Sequence, residues 1–383
     1  MKIAQIAPPW IAIPPKNYGG TESVLYNLVE EQVAQGHDVT LFAPGDAKTS
    51  AKHKAFFPKS LLQEGVPWTM HLKAFYHLQK ALEQIKEQDF DIVHTHLSSG
   101  SDMYAFPLTA TLTIPHVTTL HSRFPFDHGV AGWVGDADRY YMDWAPSVPI
   151  VAISASARAQ TQEPLNFVGV VYNGIEVKQL HPTRKRKDST YFAWLGRFMP
   201  EKGPHLAIEA AKQANVPLIL AGTIDRHVKE SVSYFQDTIK PQIDNEQIKY
   251  LGPVNVRQKA NLLRNARGFL NPIEWEEPFG IVMIEAMAFG CPVISFARGA
   301  APEIVVHGQN GFLVQNLAEM VEYIPRIGEI DRSSLPTFVD EHFSARAMAQ
   351  NYEKIYDKVI NMYKNGTPIG KDAASADSAL LLV

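Results

Sequence analysis

Glu277 and Glu285 stand eight positions apart in Glu277-Pro278-Phe279-Gly280-Ile281-Val282-Met283-Ile284-Glu285-Ala286. The first lies in a Pro/Gly turn and the second about one turn into an amphipathic helix. Side chains on a helix tilt toward its N-terminus, so Glu285 can lean toward the same mouth as Glu277. Carboxylates accept hydrogen bonds from hydroxyls, so one glutamate can hold a sugar and the other a ribose. The helix start adds free backbone N–H groups and the positive end of the dipole, which stabilise a phosphate. The same spacing also fits a plain structural use, in which Glu285 caps backbone groups at the helix start.

A second group is Gly196-Arg197-Phe198-Met199-Pro200-Glu201-Lys202-Gly203, directly after the apolar run Tyr191–Leu195. Strand, turn and helix in that order place Arg197 and Lys202 at a carboxyl end. Arg grips a diphosphate in a bidentate fashion and Lys acts as a point charge. Both would also meet negative charge growing on a leaving group. A solvated basic turn is the plainer reading of the same residues.

Tyr18-Gly19-Gly20-Thr21-Glu22 sits between the first strand and the first helix. Glycines there admit a ligand close to the backbone, or simply a tight turn. The dinucleotide fingerprint G-x-G-x-x-G is missing. Histidines gather at strand ends: His94, His96, His116 and His121. Their spacing matches no metal-ligand signature, and they read as polar strand-end groups that bind ligand or backbone. No metal is assigned.

These residues need a frame. Short apolar runs alternate with helix-period segments: Lys2–Ala7, Val39–Ala43, Phe90–His96, His116–His121, Ile150–Ser154 and Val170–Tyr172 read as strands. Thr21–Gln35 reads as a helix, with Val24, Leu25, Leu28, Val29 and Val33 on one face and Gly36 as its stop. A basic stretch, 181–187, reads as a solvated linker. Strands restart at Thr190–Leu195, Leu218–Ala221, Lys249–Leu251, Gly268–Leu270, Val293–Phe296 and Gly311–Val314, with helices near 204–214, 256–266, 281–289 and 316–324. The alternation predicts α/β architecture: two tandem, doubly wound Rossmann-like domains with parallel sheets and a deep interdomain cleft. The expected division is 1–178, 179–343, a helix 344–363 and a flexible tail 364–383. The aromatic stretch 122–149 reads either as an acceptor-facing insertion or as a helix and loop packed over the first domain.

The bulk numbers exclude other classes. The chain has 383 residues, enough for two domains at about 100–200 residues each. Its formal net charge of -4 argues against nucleic acid binding by bulk charge. The single Cys291 cannot form an internal disulfide and reads as a small buried side chain. No apolar run reaches ~18 residues, so the reading allows at most peripheral membrane contact and expects a cytoplasmic protein.

Taken in order across two tandem α/β domains, these elements resemble the retaining glycosyltransferases of GT-B architecture, glycosyltransferase family 4. The resemblance spans about residues 1–363 and rests most on Glu277-Pro278-Phe279-Gly280 through Glu285. Asn173-Gly174-Ile175 and Arg298-Gly299-Ala300-Ala301-Pro302-Glu303 support it. Two departures are Glu176, where the family often has Asp, and Gly299-Ala300-Ala301-Pro302-Glu303, where it often has a Gly-Gly pair.

The resemblance implies a nucleotide diphosphate sugar as donor, a UDP- or GDP-sugar, and no cofactor. Glu277 would contact the donor sugar and Glu285 the ribose. Arg197 and Lys202 would hold the diphosphate, and backbone amides near Phe279, Gly280 and Ile281 would hold sugar and phosphate. His121 would sit by the reaction centre, with Gly19 and Gly20 near phosphates or acceptor. The expected reaction is metal-independent sugar transfer with retention, by same-face attack in which the leaving diphosphate takes the acceptor proton. A nucleotide-sugar epimerase of the same architecture and an NAD-dependent oxidoreductase are the alternatives. Base, sugar, acceptor (glycan, lipid or small molecule) and oligomeric state are not legible.

Overall fold

The computed structural model describes residues 1–16, 19–68, 70–98, 102, 104–122, 138–161, 163–177, 190–226 and 228–366. Two compact units emerge: Met1–Gly174 with the segment from Ala345 onward, and Ile175–Ser344. The linker stretch 181–187 and most of the predicted tail fall outside the described residues.

The first unit is built on seven parallel strands. They are β1 (Lys2–Ile6), β2 (Asp38–Phe42), β3 (Lys52–Lys54), β4 (Ile92–Leu97), β5 (His116–Leu120), β6 (Ile150–Ala152) and β7 (Phe167–Val170). Their order is β3-β2-β1-β4-β5-β6-β7, which reverses direction of growth beside β1. Such a reversal is where open α/β sheets bind ligands, outside the carboxyl ends of the strands. Successive strand residues point to opposite faces. Ala4, Ile6, Val93, Leu97 and Leu120 join a buried apolar cluster with Leu78, Ala81, Leu82 and Ile85 of the helix His71–Lys86. The opposite face carries Gln5, His94, His96 and Thr119, all buried. It is covered by the helix Gly20–Ala34 and the terminal helix Ala345–Lys364.

The second unit holds β8 (Phe192–Arg197), β9 (Leu218–Thr223), β10 (Ile248–Tyr250), β11 (Gly268–Asn271), β12 (Val293–Phe296) and β13 (Gly311–Val314). The order is β10-β9-β8-β11-β12-β13, all parallel. Phe192, Trp194, Leu218, Leu220, Phe269, Met283 and Ile284 are buried between this sheet and its helices. Two doubly wound parallel-sheet domains are therefore the architecture, as the alternation of runs implied.

Differences from the sequence reading are local. β3 and the helices His71–Lys86 and Leu335–Phe343 were not anticipated. β3 has exposed lysines at both ends and too little apolar content to announce itself. Arg197 is the last residue of β8 rather than part of the following turn. Within the aromatic stretch, residues 123–137 lie outside the described residues. Tyr141, Met142 and Trp144 pack against the first unit's apolar cluster, which matches the packing alternative for this part. Cys291 is buried.

Candidate functional site

On the second unit, the loop after β11 carries Glu277 and runs into the helix Ile281–Ala288. That loop is pinned by the Gly299–Ala300 segment. Gly299 N–H donates to Glu276 Oε2 at 2.7 Å, and Ala300 N–H donates to the Glu277 carbonyl at 2.9 Å. Gly299 has φ 55°, and a Cβ there would lie 2.3 Å from the Glu277 carbonyl oxygen. Only glycine satisfies both the left-handed backbone and the close approach. The Arg298–Glu303 segment thus serves to hold the glutamate loop.

The Glu277 carboxylate is shared by two donors. Lys202 Nζ pairs with Oε2, and Trp275 Nε1 donates to the same oxygen at 3.1 Å. Lys202 also lies 4.6 Å from the centre of the Trp275 ring, a cation–π contact. Both ionic side chains are only 17% exposed, so their attraction is weakly screened. The backbone of Lys202 is fixed as well, because Trp194 Nε1 donates to its carbonyl at 3.1 Å.

Gly280 caps the helix in the left-handed region at φ 85°, with no side-chain cap bond. The helix start thus presents N–H groups without a capping side chain, the arrangement that suits an anion. Phe279 is 2% exposed and packs edge-on against Phe343, whereas Ile281 opens the helix. Glu285 lies five residues into the helix and pairs with Lys259 of the helix Val256–Asn265. It makes no capping bond at the helix start; its partner is Lys259. Each glutamate has one oxygen engaged by a lysine, which leaves acceptor capacity for hydroxyls.

On the first unit, Gly19 is the N-cap of the helix Gly20–Ala34. A Cβ at Gly19 would meet Pro15 Cβ at 2.8 Å and Glu22 Oε2 at 2.9 Å, while Gly20 borders open space. Tyr18 lies outside the described residues. Glu22 is 3% exposed, and burial pushes its carboxyl up to about 7, with Asp102 adding to the effect. His121 directly follows β5, half-buried, and contacts His96 through Nε2···Nδ1 at 2.8 Å. Burial holds the His94, His96 and His121 rings below the ordinary histidine range, so they are neutral near pH 7.

Among the described residues no three His, Cys, Asp or Glu groups are arranged to hold a metal ion. The expectation that the chain lacks an Asp-x-Asp motif is wrong: Asp136-Ala137-Asp138 is one, its first two residues outside the described residues, and Asp89-Phe90-Asp91 is another, at the amino end of β4. There Asp91 accepts the Lys2 N–H at 2.7 Å, far along the strand from the carboxyl end. No described helix is long and apolar enough to cross a membrane.

Lys259, Trp275 and Glu22 complete the picture and were not singled out from sequence. Lys259 follows an Asn255–Gln258 capping box that marks a helix start but not what its lysine faces. Trp275 was visible only as a neighbour of motif residues, and Glu22 only as the last residue of the Tyr18–Glu22 segment, with no role assigned.

The profile described as Glycosyltransferase Family 4 matches residues 18–179. The profile described as Glycosyl transferases group 1 matches residues 178–331. Spore coat protein SA of Bacillus subtilis is 22% identical over 95% of this chain and 99% of its own length. Phosphatidyl-myo-inositol mannosyltransferase of Mycolicibacterium smegmatis is 25% identical over 82% of this chain and 81% of its own. Among solved structures, sucrose-phosphate synthase from Thermosynechococcus elongatus has TM-score 0.72 at 18% identity, covering 94% of this chain and 99% of that one. Anabaena HepE in complex with UDP and glucose has TM-score 0.67 at 20% identity, covering 93% and 99%. Two family profiles that run end to end over residues 18–331, on two parallel-sheet domains of GT-B type, place this chain in glycosyltransferase family 4.

Proposed function

We propose that the protein is a retaining hexosyltransferase that takes its sugar from a UDP- or GDP-sugar without a metal ion. The carrying observation is the helix Ile281–Ala288, whose uncapped start falls in the chain between Glu277, paired with Lys202, and Glu285, paired with Lys259. In this reading Glu277 receives donor-sugar hydroxyls and Glu285 the ribose hydroxyls. Arg197 and Lys202 hold the diphosphate, and the N–H groups near Phe279, Gly280 and Ile281 help. Positive charge and helix-start N–H groups would stabilise the charge that develops on the leaving diphosphate, the role a divalent cation fills elsewhere. On the first unit His121 serves the donor sugar, and Gly19 and Gly20 the phosphate or acceptor end. The HepE complexes with UDP and UDP-glucose support a nucleotide-sugar donor, and the mannosyltransferase relatives support hexosyl transfer.

Retention could come from a double displacement or from same-face attack; no carboxylate nucleophile is assigned, so same-face attack is the route proposed. The acceptor hydroxyl attacks the face from which the diphosphate leaves and passes its proton to a departing phosphate oxygen. The test is thermal stabilisation and donor turnover across UDP-, GDP- and ADP-sugars, wild type beside Glu285→Ala. One nucleotide family should raise the melting temperature by several degrees in wild type and hardly at all in the variant. Stabilisation by NAD alone would replace this reading with an oxidoreductase.

A further inference from the structure

Inside the first unit a chain of buried side chains connects the terminal helix to His121. Tyr356 Oη has three polar neighbours: Gln5 Nε2 at 3.2 Å, Gln32 Nε2 at 3.1 Å and His94 Nδ1 at 2.7 Å. Gln5 Nε2 also donates to Gln32 Oε1 at 2.9 Å. On its other side Gln5 Oε1 faces His96 Nε2 at 2.9 Å, and His96 Nδ1 faces His121 Nε2 at 2.8 Å. A branch runs from His94 Nε2 to Thr119 Oγ1 at 2.7 Å and on to Tyr352 Oη at 2.8 Å. Gln5, Gln32, His94 and Thr119 are 0% exposed, so bulk solvent does not reach these contacts.

Amide orientations and histidine tautomers are set by the network they belong to. Here one hydroxyl decides. The Gln5–Gln32 contact must pair an N–H with an oxygen, so the two amides stand both as described or both reversed. Both reversed would set two carbonyl oxygens against Tyr356, which has a single proton. One buried oxygen–oxygen contact would then lack a hydrogen, an arrangement native interiors avoid. As described, Tyr356 accepts from both amides and gives its proton to His94 Nδ1, and every contact is satisfied. Burial raises the Tyr356 hydroxyl above its ordinary range, so that proton stays in place.

We infer that Tyr356, Gln5 and His96 are positioning residues that lock His121 as the neutral Nε2–H tautomer, with Nδ1 left as a hydrogen-bond acceptor. Gln5 Oε1 can only accept, so His96 carries its proton on Nε2. The neutral His96 ring therefore offers a lone pair at Nδ1, which takes the Nε2–H of His121. His121 Nδ1 then welcomes a hydroxyl and disfavours a phosphate oxygen. The terminal helix thus takes part in setting up the reaction centre, beyond closing the sheet face. This inference rests on the transferase reading only for what His121 does with its ligand.

The test is long-range proton–nitrogen NMR on the full chain labelled with 15N-histidine, the His121 signals being identified by their loss in His121→Gln. Wild type should show His121 protonated at Nε2 and bare at Nδ1. A His121 protonated at Nδ1 in wild type overturns the proposal without reference to activity. Tyr356→Phe removes the one-proton hydroxyl and should give mixed tautomers at His121. Its kcat should fall about 10-fold while the donor KM stays within about twofold. Unchanged tautomer signals in a folded Tyr356→Phe protein would also overturn it. Should that variant fail to fold, Gln32→Met frees the same amide orientation and is read the same way. An Nε2–H tautomer in a protein that turns over no nucleotide sugar would keep the inference and sink the transferase reading.

Discussion

Lys202 and Glu277 lie 75 residues apart in the chain and form an ion pair whose carboxylate oxygen also receives the indole N–H of Trp275. The pair joins the turn after β8 to the loop after β11, neighbouring strands in the second sheet. In the proposed site a donor phosphate would compete with Glu277 for this cation. Replacing Lys202 with Met should leave Glu277 with a half-buried, uncompensated charge. Turnover of the donor sugar should fall about 100-fold, the typical loss of one positioned charge donor. Steady-state kinetics with the preferred donor checks this, and a change under about threefold would remove Lys202 from the mechanism.

Arg197 closes β8 at the same carboxyl edge. Arg197→Ala should lower kcat by about 100-fold and change donor KM much less, because the proposed role uses its charge mainly as the leaving group departs. Single-turnover and steady-state rates together separate the two effects. A loss confined to KM would assign Arg197 to ground-state binding only.

Lys259 pairs with Glu285 while both are less than a third exposed. Lys259→Met should weaken nucleotide binding by about 3- to 10-fold by releasing the Glu285 side chain, a loss near 1 kcal/mol. Calorimetric titration with the nucleoside diphosphate measures it. The Glu285→Ala loss should be larger, and the double variant should lose less than the sum.

Glu22 carries its own pH signature. Its carboxyl rises from an ordinary 4.5 to about 7 on folding. Below pH 4.5 both states hold the proton and no difference arises. Between 4.5 and 7 the unfolded chain has lost the proton that the folded protein keeps, so stability falls as pH rises. Above 7 the full penalty, about 3 kcal/mol, is present. Glu22→Gln should therefore raise the melting temperature at pH 8 and do little at pH 4. Equal melting shifts at both pH values would show that Glu22 stays ionised in the folded protein.

Gly299→Ala probes how the glutamate loop is held. The added Cβ would meet the Glu277 carbonyl at 2.3 Å in a left-handed backbone. A cost of about 2 kcal/mol or more is expected, with activity reduced beyond what the lost stability explains. Chemical denaturation and kinetics on the folded fraction test the two parts separately.

Much of this protein was legible in its residues alone. Alternating apolar runs placed twelve of the strands within a few residues, because a parallel strand buried on both faces needs a continuous apolar run. β3 escaped because Lys52-His53-Lys54 is an exposed edge that carries no such run. Glu277 and Glu285 stood out by their turn and helix context, and Arg197 and Lys202 by theirs. Their partners did not, because Lys259 and Glu285 are 26 residues apart and meet only when helices after β10 and β11 pack on one sheet. Spacing along the chain also left Glu285 open to a capping role, and the Lys259 pair decided against it. The histidines at strand ends announced polar chemistry, but not their proton order. That order depends on Tyr356, 262 residues from His94, whose single hydroxyl proton is shared out only once the terminal helix lies across the sheet. Local pattern is written in neighbouring residues, whereas charge pairing and proton placement are properties of contacts that folding alone creates.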